Sequence, residues 1–204
     1  MKLSEQENAQ IEAAVAQAER RTSAEFALVL AQAADGYEAY PTLWAALAAL
    51  TVGGVTAALL PWVTAGGMFA AEAVAFAVAG LILYLPAVRH RLAPGSVRRE
   101  EAEKLARLQF GALVQQRTEA RVGVLLFVSL AERYIEIVVD QGIAERIPQS
   151  AWAEIVDSFS ARLRASRLAD GFVEAIERCA SLLEREFPAG PDDRNELPDQ
   201  ITLL

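Results

Sequence analysis

The feature that most constrains this chain is a long segment almost without charge. Between Glu38 and Arg89, the only Asp, Glu, Lys or Arg residue is Glu72. A transmembrane helix requires about 20 predominantly apolar residues, whereas a helix of a soluble core requires fewer. The rest of the 204-residue chain offers little sequence with which to cover so long an apolar segment. We therefore favour membrane insertion over a helical hairpin buried inside a soluble protein.

The apolar segment divides into two candidate spans, residues 42–60 and 68–88. Pro61 between them breaks a helix, and Gly66 and Gly67 allow a tight turn, so the two spans are predicted to be antiparallel. Small residues recur every four positions along each span, which allows the two helices to touch each other. These residues are Ala45, Ala49, Gly53 and Ala57 in the first span and Ala71, Ala75 and Ala79 in the second. The same faces could also contact another membrane protein or a second copy of this chain.

The flanking arginines predict an orientation. Arginines lie before the first span and directly after the second, and no Lys or Arg lies in the loop between the spans. They are Arg20, Arg21, Arg89, Arg91, Arg98 and Arg99. Because Lys and Arg mark the cytoplasmic side, we expect a two-span protein of the inner or cell membrane with both termini in the cytoplasm. The lipid bilayer is then an expected partner of the protein.

Glu72 has two interpretations. A carboxylate inside a membrane is by default a candidate for an ion or proton pathway, but two helices cannot enclose a pore, so transport would require an oligomer. The alternative is a carboxyl group near the tip of the hairpin that is protonated or reaches the membrane interface, with Thr56 or Thr64 as a candidate hydrogen-bond partner. We favour the second interpretation because neither span contains another charged residue.

The charged flanks predict an α/β domain. Ser4 and Glu7 form an S-x-x-E capping box before a helix, and Glu25–Ala31 is an apolar strand. A helix after the hairpin leads to the strand "GVLLFVS", the turn "LAER" and the return strand Tyr134–Asp140, which places Tyr134 and Glu136 on one face. Two further helices follow. A helical crossover makes the first two strands parallel, so we predict a small mixed-sheet α/β sandwich interrupted by a two-helix transmembrane hairpin.

These patterns also set the predicted domain limits. Residues 1–40 and 89–190 form a discontinuous cytoplasmic α/β domain, residues 41–88 form the hairpin, and residues 191–204 form a C-terminal tail.

The net charge of the chain is −8 and no basic stripe is present, so nucleic acid is not an expected partner. The single cysteine, Cys179, has the helical spacing of a core residue and cannot form an internal disulfide.

The run "FGALVQQRTEARVGVLLFVSLAERYIEIVVDQGIAERIP" resembles the TPM domain family, in which an apolar strand, an acidic turn and a return strand ending near D-x-G-I follow one another. "RRTSAEFALVL" resembles an upstream strand of that family. "NELPD" resembles a bacterial subgroup with a membrane hairpin inside the domain. The resemblance implies a TPM-like fold. It implies a function among those assigned to family members, which are phosphatase activity, assembly or repair roles, and partner binding.

The candidate site lies where the hairpin leaves the sheet, at the carboxyl end of the first strand, a common position for sites in α/β folds. The parallel pairing predicts that Asp35 and Glu38 lie near Glu132 and Arg133 of the "LAER" turn. In a phosphatase, all four residues would be catalytic, with Glu132 and Asp35 holding calcium or magnesium and Arg133 facing the phosphate. The alternative is that they are ordinary solvated turn residues, and no cofactor is then expected.

Two acids occupy the opposite end of the predicted sheet. Glu25 and Asp140 are predicted to be structural and to pair with Arg121 or Thr118. The chain contains no P-loop, no G-x-S-x-G motif and no histidine-based metal motif. Our favoured hypothesis is therefore a non-enzymatic, membrane-anchored module that binds, assembles or maintains other membrane proteins. The alternative is a metal-assisted phosphatase of the TPM type.

Overall fold

The computed structural model describes residues 3–115, 122–190 and 197–204. It divides into two compact units. Residues 1–34 and 99–204 form one, which we call the α/β unit, and residues 35–98 form the other, which we call the hairpin unit. The helices and strands, in chain order, are α1 (Glu5–Glu19), β1 (Glu25–Ala31), α2 (Ala39–Leu59), α3 (Ala65–Leu83), α4 (Pro86–Leu92), α5 (Gly95–Phe110), β2 (Gly123–Ser129), β3 (Tyr134–Val139), α6 (Gln141–Ala144), α7 (Gln149–Arg164), α8 (Leu168–Glu186) and β4 (Thr202–Leu203).

The α/β unit is built on a four-stranded mixed sheet with the strand order β3-β2-β1-β4. β1 and β2 are parallel, in a register that pairs Glu25 with Gly123 and Ala31 with Ser129, and β3 is antiparallel to β2. Both central strands are buried along their whole length, as expected for apolar strands covered on both faces. The predicted mixed-sheet α/β fold is confirmed.

Helices cover both faces of this sheet. On one face, α1, α7 and α8 pack on the side chains of β1 and β2 that include Phe26 and Leu126. On the other face, α5 packs on the alternate side chains, which include Val29 and Phe127. Cys179 of α8 lies in the first of these cores, where burial raises the pKa of its thiol to about 12. The interpretation of Cys179 as a core residue is confirmed.

The C-terminal residues contribute the fourth strand. Sequence analysis assigned residues 191–204 to a tail, but Thr202–Leu203 forms β4, parallel to β1. The backbone N–H of Gln32 donates to the carbonyl of Leu204 at 2.9 Å, and the N–H of Leu204 donates to the carbonyl of Leu30 at 3.1 Å. The end of the chain is therefore part of the sheet.

The hairpin unit contains the two long apolar helices. α2 and α3 are both long and apolar enough to span a membrane, and they pack against each other. At their open end, the hydroxyl groups of Thr42 and Tyr84 are 2.7 Å apart. The α2 face that bears the regularly spaced Ala45, Ala49 and Gly53 is buried, whereas no described residue of α3 is buried.

Glu72 lies against Gly53 in this helix pair. A Cβ atom built on Gly53 would lie only 1.7 Å from a carboxyl oxygen of Glu72, so the glycine provides the space that the carboxyl group occupies. The predicted bond to Thr56 or Thr64 does not occur among the described residues. Thr64 instead caps α3, because its hydroxyl accepts from the N–H of Gly67 at 3.3 Å. The space over a glycine, and not a threonine hydroxyl, determines where Glu72 lies.

Candidate functional site

The β2–β3 turn, residues 130–133, lies at the carboxyl end of the two parallel strands. Its backbone continues the hydrogen bonding of the sheet, since the N–H of Leu130 donates to the carbonyl of Ala31 at 3.0 Å. The N–H of Ala131 likewise donates to the carbonyl of Gln32 at 3.1 Å. Two of the predicted site residues, Glu132 and Arg133, are therefore held at this end of the sheet.

Glu132 stabilises the turn. Its carboxylate accepts a hydrogen bond from the buried hydroxyl of Ser129 at the end of β2. The same oxygen accepts from the backbone N–H of Ala34, at 3.1 Å, on the chain that follows β1. Because one carboxylate oxygen joins both strand ends, Glu132 has a structural role that accounts for its position.

Asp35 and Glu38, the other predicted site residues, belong to the hairpin unit. The carboxylate of Asp35 accepts from the N–H groups of Gly36, at 2.7 Å, and Tyr37, at 3.3 Å. These bonds accompany a left-handed backbone at Tyr37 (φ 53°), whose side chain is buried. The carbonyl of Glu38 accepts from the hydroxyl of Thr42 at 3.2 Å. Both residues thus shape the start of α2, and their convergence with Glu132 stays a prediction.

A metal site was predicted at Glu132 and Asp35. Within the described ranges, no three His, Cys, Asp or Glu side chains lie close enough together to hold one metal ion. Calcium usually takes six to eight oxygen ligands, and magnesium takes six. A cation here would therefore need several ligands from water or substrate.

Glu25 and Asp140 are buried at the opposite end of the sheet. Asp140 accepts from the N–H of Gly123 at 3.1 Å, and Glu25 accepts from the N–H of Leu197 at 2.9 Å. These bonds tie β3 and the C-terminal segment to the central strands. The predicted partners Arg121 and Thr118 lie outside the described residues.

The face of β3 carries an acid and a phenol that sequence analysis did not identify as a candidate pair. The hydroxyl of Tyr134 donates to the carboxylate of Glu136 at 2.9 Å, and the guanidinium of Arg99 lies 6.0 Å from the centre of the Tyr134 ring. Burial is the main cause of a raised pKa at both Glu136 and Tyr134. The alternation of β3 placed both residues on one face, but only the structure shows that they are half-buried and bonded.

Replacing Glu136 by glutamine should flatten the pH dependence of stability above pH 4.5. The pKa of Glu136 is raised above its ordinary value of 4.5, so the folded state binds this proton more tightly than the unfolded state. Its contribution to stability is full below the unfolded-state pKa and declines as pH rises through the folded-state pKa. Glutamine keeps an acceptor for Tyr134 without this decline. Melting temperatures across pH 4–8 test this, with the exposed Glu154→Gln as control; identical profiles would contradict it.

Comparison with known proteins finds a family for part of the chain. Residues 95–182, from α5 into α8, match the family model of the TPM domain. The resemblance to the TPM domain that the sequence features predicted is therefore confirmed for this part of the chain. The structure is similar to the NMR structure of the protein BA42 from the psychrophilic bacterium Bizionia argentinensis, with a TM-score of 0.63 and 18% identity over 100% of this chain and 97% of that chain. At 18% identity, this similarity supports a shared fold and nothing about function. No curated protein matches the chain.

Proposed function

We propose that this protein is an integral membrane protein whose TPM domain lies in the cytoplasm and binds, assembles or maintains other membrane proteins. The observation that carries the proposal is the exposure of the hairpin helices. Leu50 of α2 is 66% exposed and Leu81 of α3 is 77% exposed, although both helices are apolar enough to span a membrane. So large an apolar surface is typical of contact with lipid or with another protein.

The distribution of charge supports the orientation. Arg89 and Arg91 lie in α4, directly after α3, in the hairpin unit. The tip of the hairpin, residues 60–64, contains no Lys or Arg, and its Trp62 is exposed, as is typical of a tryptophan at a membrane interface. Under the positive-inside rule, this distribution supports a cytoplasmic position for the arginines and for the α/β unit.

The local bonding of the candidate site gives two of its acids a structural role. Glu132 accepts hydrogen bonds from Ser129 and Ala34, and Asp35 accepts from backbone N–H groups of its own turn. A binding module requires nothing further from these carboxylates, which supports the non-enzymatic proposal. The metal-assisted phosphatase is the alternative that the experiments below distinguish.

Membrane insertion and orientation are tested on the full chain. The protein should stay in the membrane pellet after extraction with alkaline carbonate, and its release into the supernatant would contradict insertion. In a Cys179→Ser background, Trp62→Cys should react with a membrane-impermeant maleimide in intact cells. Glu100→Cys on α5, the matched control, should react only after permeabilisation. The reverse labelling pattern would contradict the cytoplasmic placement.

The binding role is tested by comparing affinity-purified full-length protein with its Glu132→Gln variant. In mild detergent, both should retain the same membrane proteins, with and without a chelator. Glutamine preserves an acceptor for Ser129 and Ala34, so the turn should remain folded. Hydrolysis of a phosphomonoester that requires a divalent cation and is lost in Glu132→Gln would instead establish the phosphatase.

A further inference from the structure

A cavity of about 630 Å³ lies within the α/β unit, between the β2–β3 turn and the end of α7. Glu132 is not among its described lining residues. Leu130 and Leu163, which also pack on the main core, provide its apolar wall. Its described lining residues are Leu130, Arg133, Ser160, Leu163, Arg164 and Ser166. The cavity thus combines two cations, two hydroxyl groups and an apolar wall.

The two cations of this cavity form no ion pair within the described part of the chain. In the same part of the α/β unit, five arginines form ion pairs; they are Arg21, Arg107, Arg162, Arg167 and Arg178. Among the described arginines, Arg133 and Arg164 share the unpaired state with Arg20, Arg99, Arg146 and Arg185. Arg164 lies in the last turn of α7, where a cation interacts favourably with the helix dipole. That interaction explains one arginine at a helix end but not a second arginine lining the same cavity.

No acid lines this cavity among the described residues. The nearest acid in sequence to Arg133 is Glu132, whose carboxylate is engaged by Ser129 and Ala34. Both arginines are exposed to solvent, which screens their mutual repulsion. An anionic ligand in this cavity would therefore meet two cations and no opposing acid among the described lining residues.

Backbone hydrogen bonds hold both loops that border the cavity. Arg133 (φ 53°) and Ser166 (φ 59°) both have a left-handed backbone. At Ser166 this conformation ends α7, where the N–H of Ser166 donates to the carbonyl of Leu163 at 3.1 Å and the N–H of Arg167 donates to the carbonyl of Arg162 at 3.0 Å. At Arg133 it belongs to the β2–β3 turn, where the N–H of Arg133 donates to the carbonyl of Leu130 at 3.3 Å.

We propose that this cavity binds a phosphate group carried by a small molecule or a lipid headgroup. The planar guanidinium groups of Arg133 and Arg164 match pairs of phosphate oxygens, and the hydroxyl groups of Ser160 and Ser166 donate to the remaining oxygens. The apolar wall accommodates the organic part of the ligand. This assignment does not depend on membrane insertion, because every lining residue belongs to the α/β unit.

The test is calorimetric titration of the full chain, in a non-ionic detergent at low ionic strength, with inorganic phosphate. We expect saturable binding that weakens at least about tenfold in Arg164→Gln and in Arg133→Asn, since a charge-assisted bond contributes about 1.5–3 kcal/mol. Asparagine is chosen because it tolerates the left-handed backbone. The matched control is Arg185→Gln, which removes a cation from the last turn of α8, outside this cavity.

The two sources of phosphate are distinguished in lipid nanodiscs. If the ligand is a headgroup, phosphatidic acid should weaken the binding of inorganic phosphate more than phosphatidylglycerol at equal surface charge. If the ligand is soluble, the two lipids should act alike. The proposed site would be wrong if the unmodified protein showed no saturable binding of inorganic phosphate. It would also be wrong if Arg185→Gln weakened this binding as much as Arg164→Gln and Arg133→Asn do. Protection of Cys179 from thiol reagents verifies that each variant is folded.

Discussion

Replacing Phe159 by alanine should lower the free energy of unfolding of the α/β unit by about 3–5 kcal/mol. Phe159 of α7 is only 1% exposed. Its ring packs edge-on against the ring of Phe172 in α8, with ring centres 5.0 Å apart and an interplanar angle of 69°. The loss is large because folded domains have only about 5–15 kcal/mol of total stability.

The loss of stability can be measured from the rate at which a thiol reagent labels Cys179. It is the single cysteine of the chain, and burial both hides its thiol and raises its pKa to about 12. A thiol reagent therefore reacts with it only after the core opens, so the labelling rate reports the free energy of opening of the α/β unit, whatever the state of the hairpin. The control is Leu108→Ala, at a position 66% exposed on α5, which should change this free energy by less than about 0.5 kcal/mol.

A second substitution tests the same contact from α8. A Cβ atom built on Gly171 would lie 2.4 Å from two ring carbon atoms of Phe159, so Gly171→Ala alone should destabilise the unit by about 1–3 kcal/mol. Combined with Phe159→Leu, which withdraws the ring, it should cost less than the sum of the single changes. Additive costs would mean that Phe159 and Gly171 do not interact as the structure shows. The contact matters because it sets the position of α7, which carries Arg164.

The fold could be predicted because its main signals are local. Continuous apolar sequence in β1 and β2 predicts strands covered on both faces, and Ser4 with Glu7 predicts the start of α1, where both bonds of the capping box form. β4 could not be predicted in this way. Thr202–Leu203 is too short to show alternation, and its place in the sheet depends on backbone bonds with Leu30 and Gln32, far away in sequence.

The candidate site was less predictable because its interactions are not local. The position of Glu132 in an acidic turn could be predicted, but its bond to Ala34 joins residues 98 positions apart. The convergence of Arg133 and Arg164 depends on where α7 ends relative to the β2–β3 turn. The left-handed backbone at Arg133 and Ser166 had no signal either, since neither residue is the glycine or asparagine that usually marks it.

Replacing Gly53 by leucine should separate the two helices of the hairpin. Even a Cβ atom at this position would lie 1.7 Å from the carboxyl oxygen of Glu72, so either the carboxyl group must leave or the helices must move apart. Small residues allow close helix contact in membranes, and interaxial distances vary over about 8–10 Å with the size of the side chains in contact. We therefore expect the distance between α2 and α3 to increase by about 2 Å.

The distance can be measured by pulsed electron paramagnetic resonance on the full chain in nanodiscs. Spin labels are attached at Leu43→Cys and Ile82→Cys, two exposed positions on α2 and α3, in a Cys179→Ser background. The matched control is Gly54→Leu, the adjacent residue, where a Cβ atom meets nothing within 4 Å. Gly54→Leu should leave the distance unchanged, whereas Gly53→Leu should lengthen it and broaden its distribution.

A third variant separates the role of Glu72 from that of the glycine. In Gly53→Ala, the three heavy atoms nearest to the added methyl group all belong to the side chain of Glu72, so Glu72→Ala in the same chain should restore the original distance. Restoration would establish that the carboxyl group is packed between the helices and not held in a pathway open to ions. If Glu72→Ala alone opened the hairpin as far as Gly53→Leu, the carboxyl group would be a required helix contact and this account of the glycine would be wrong.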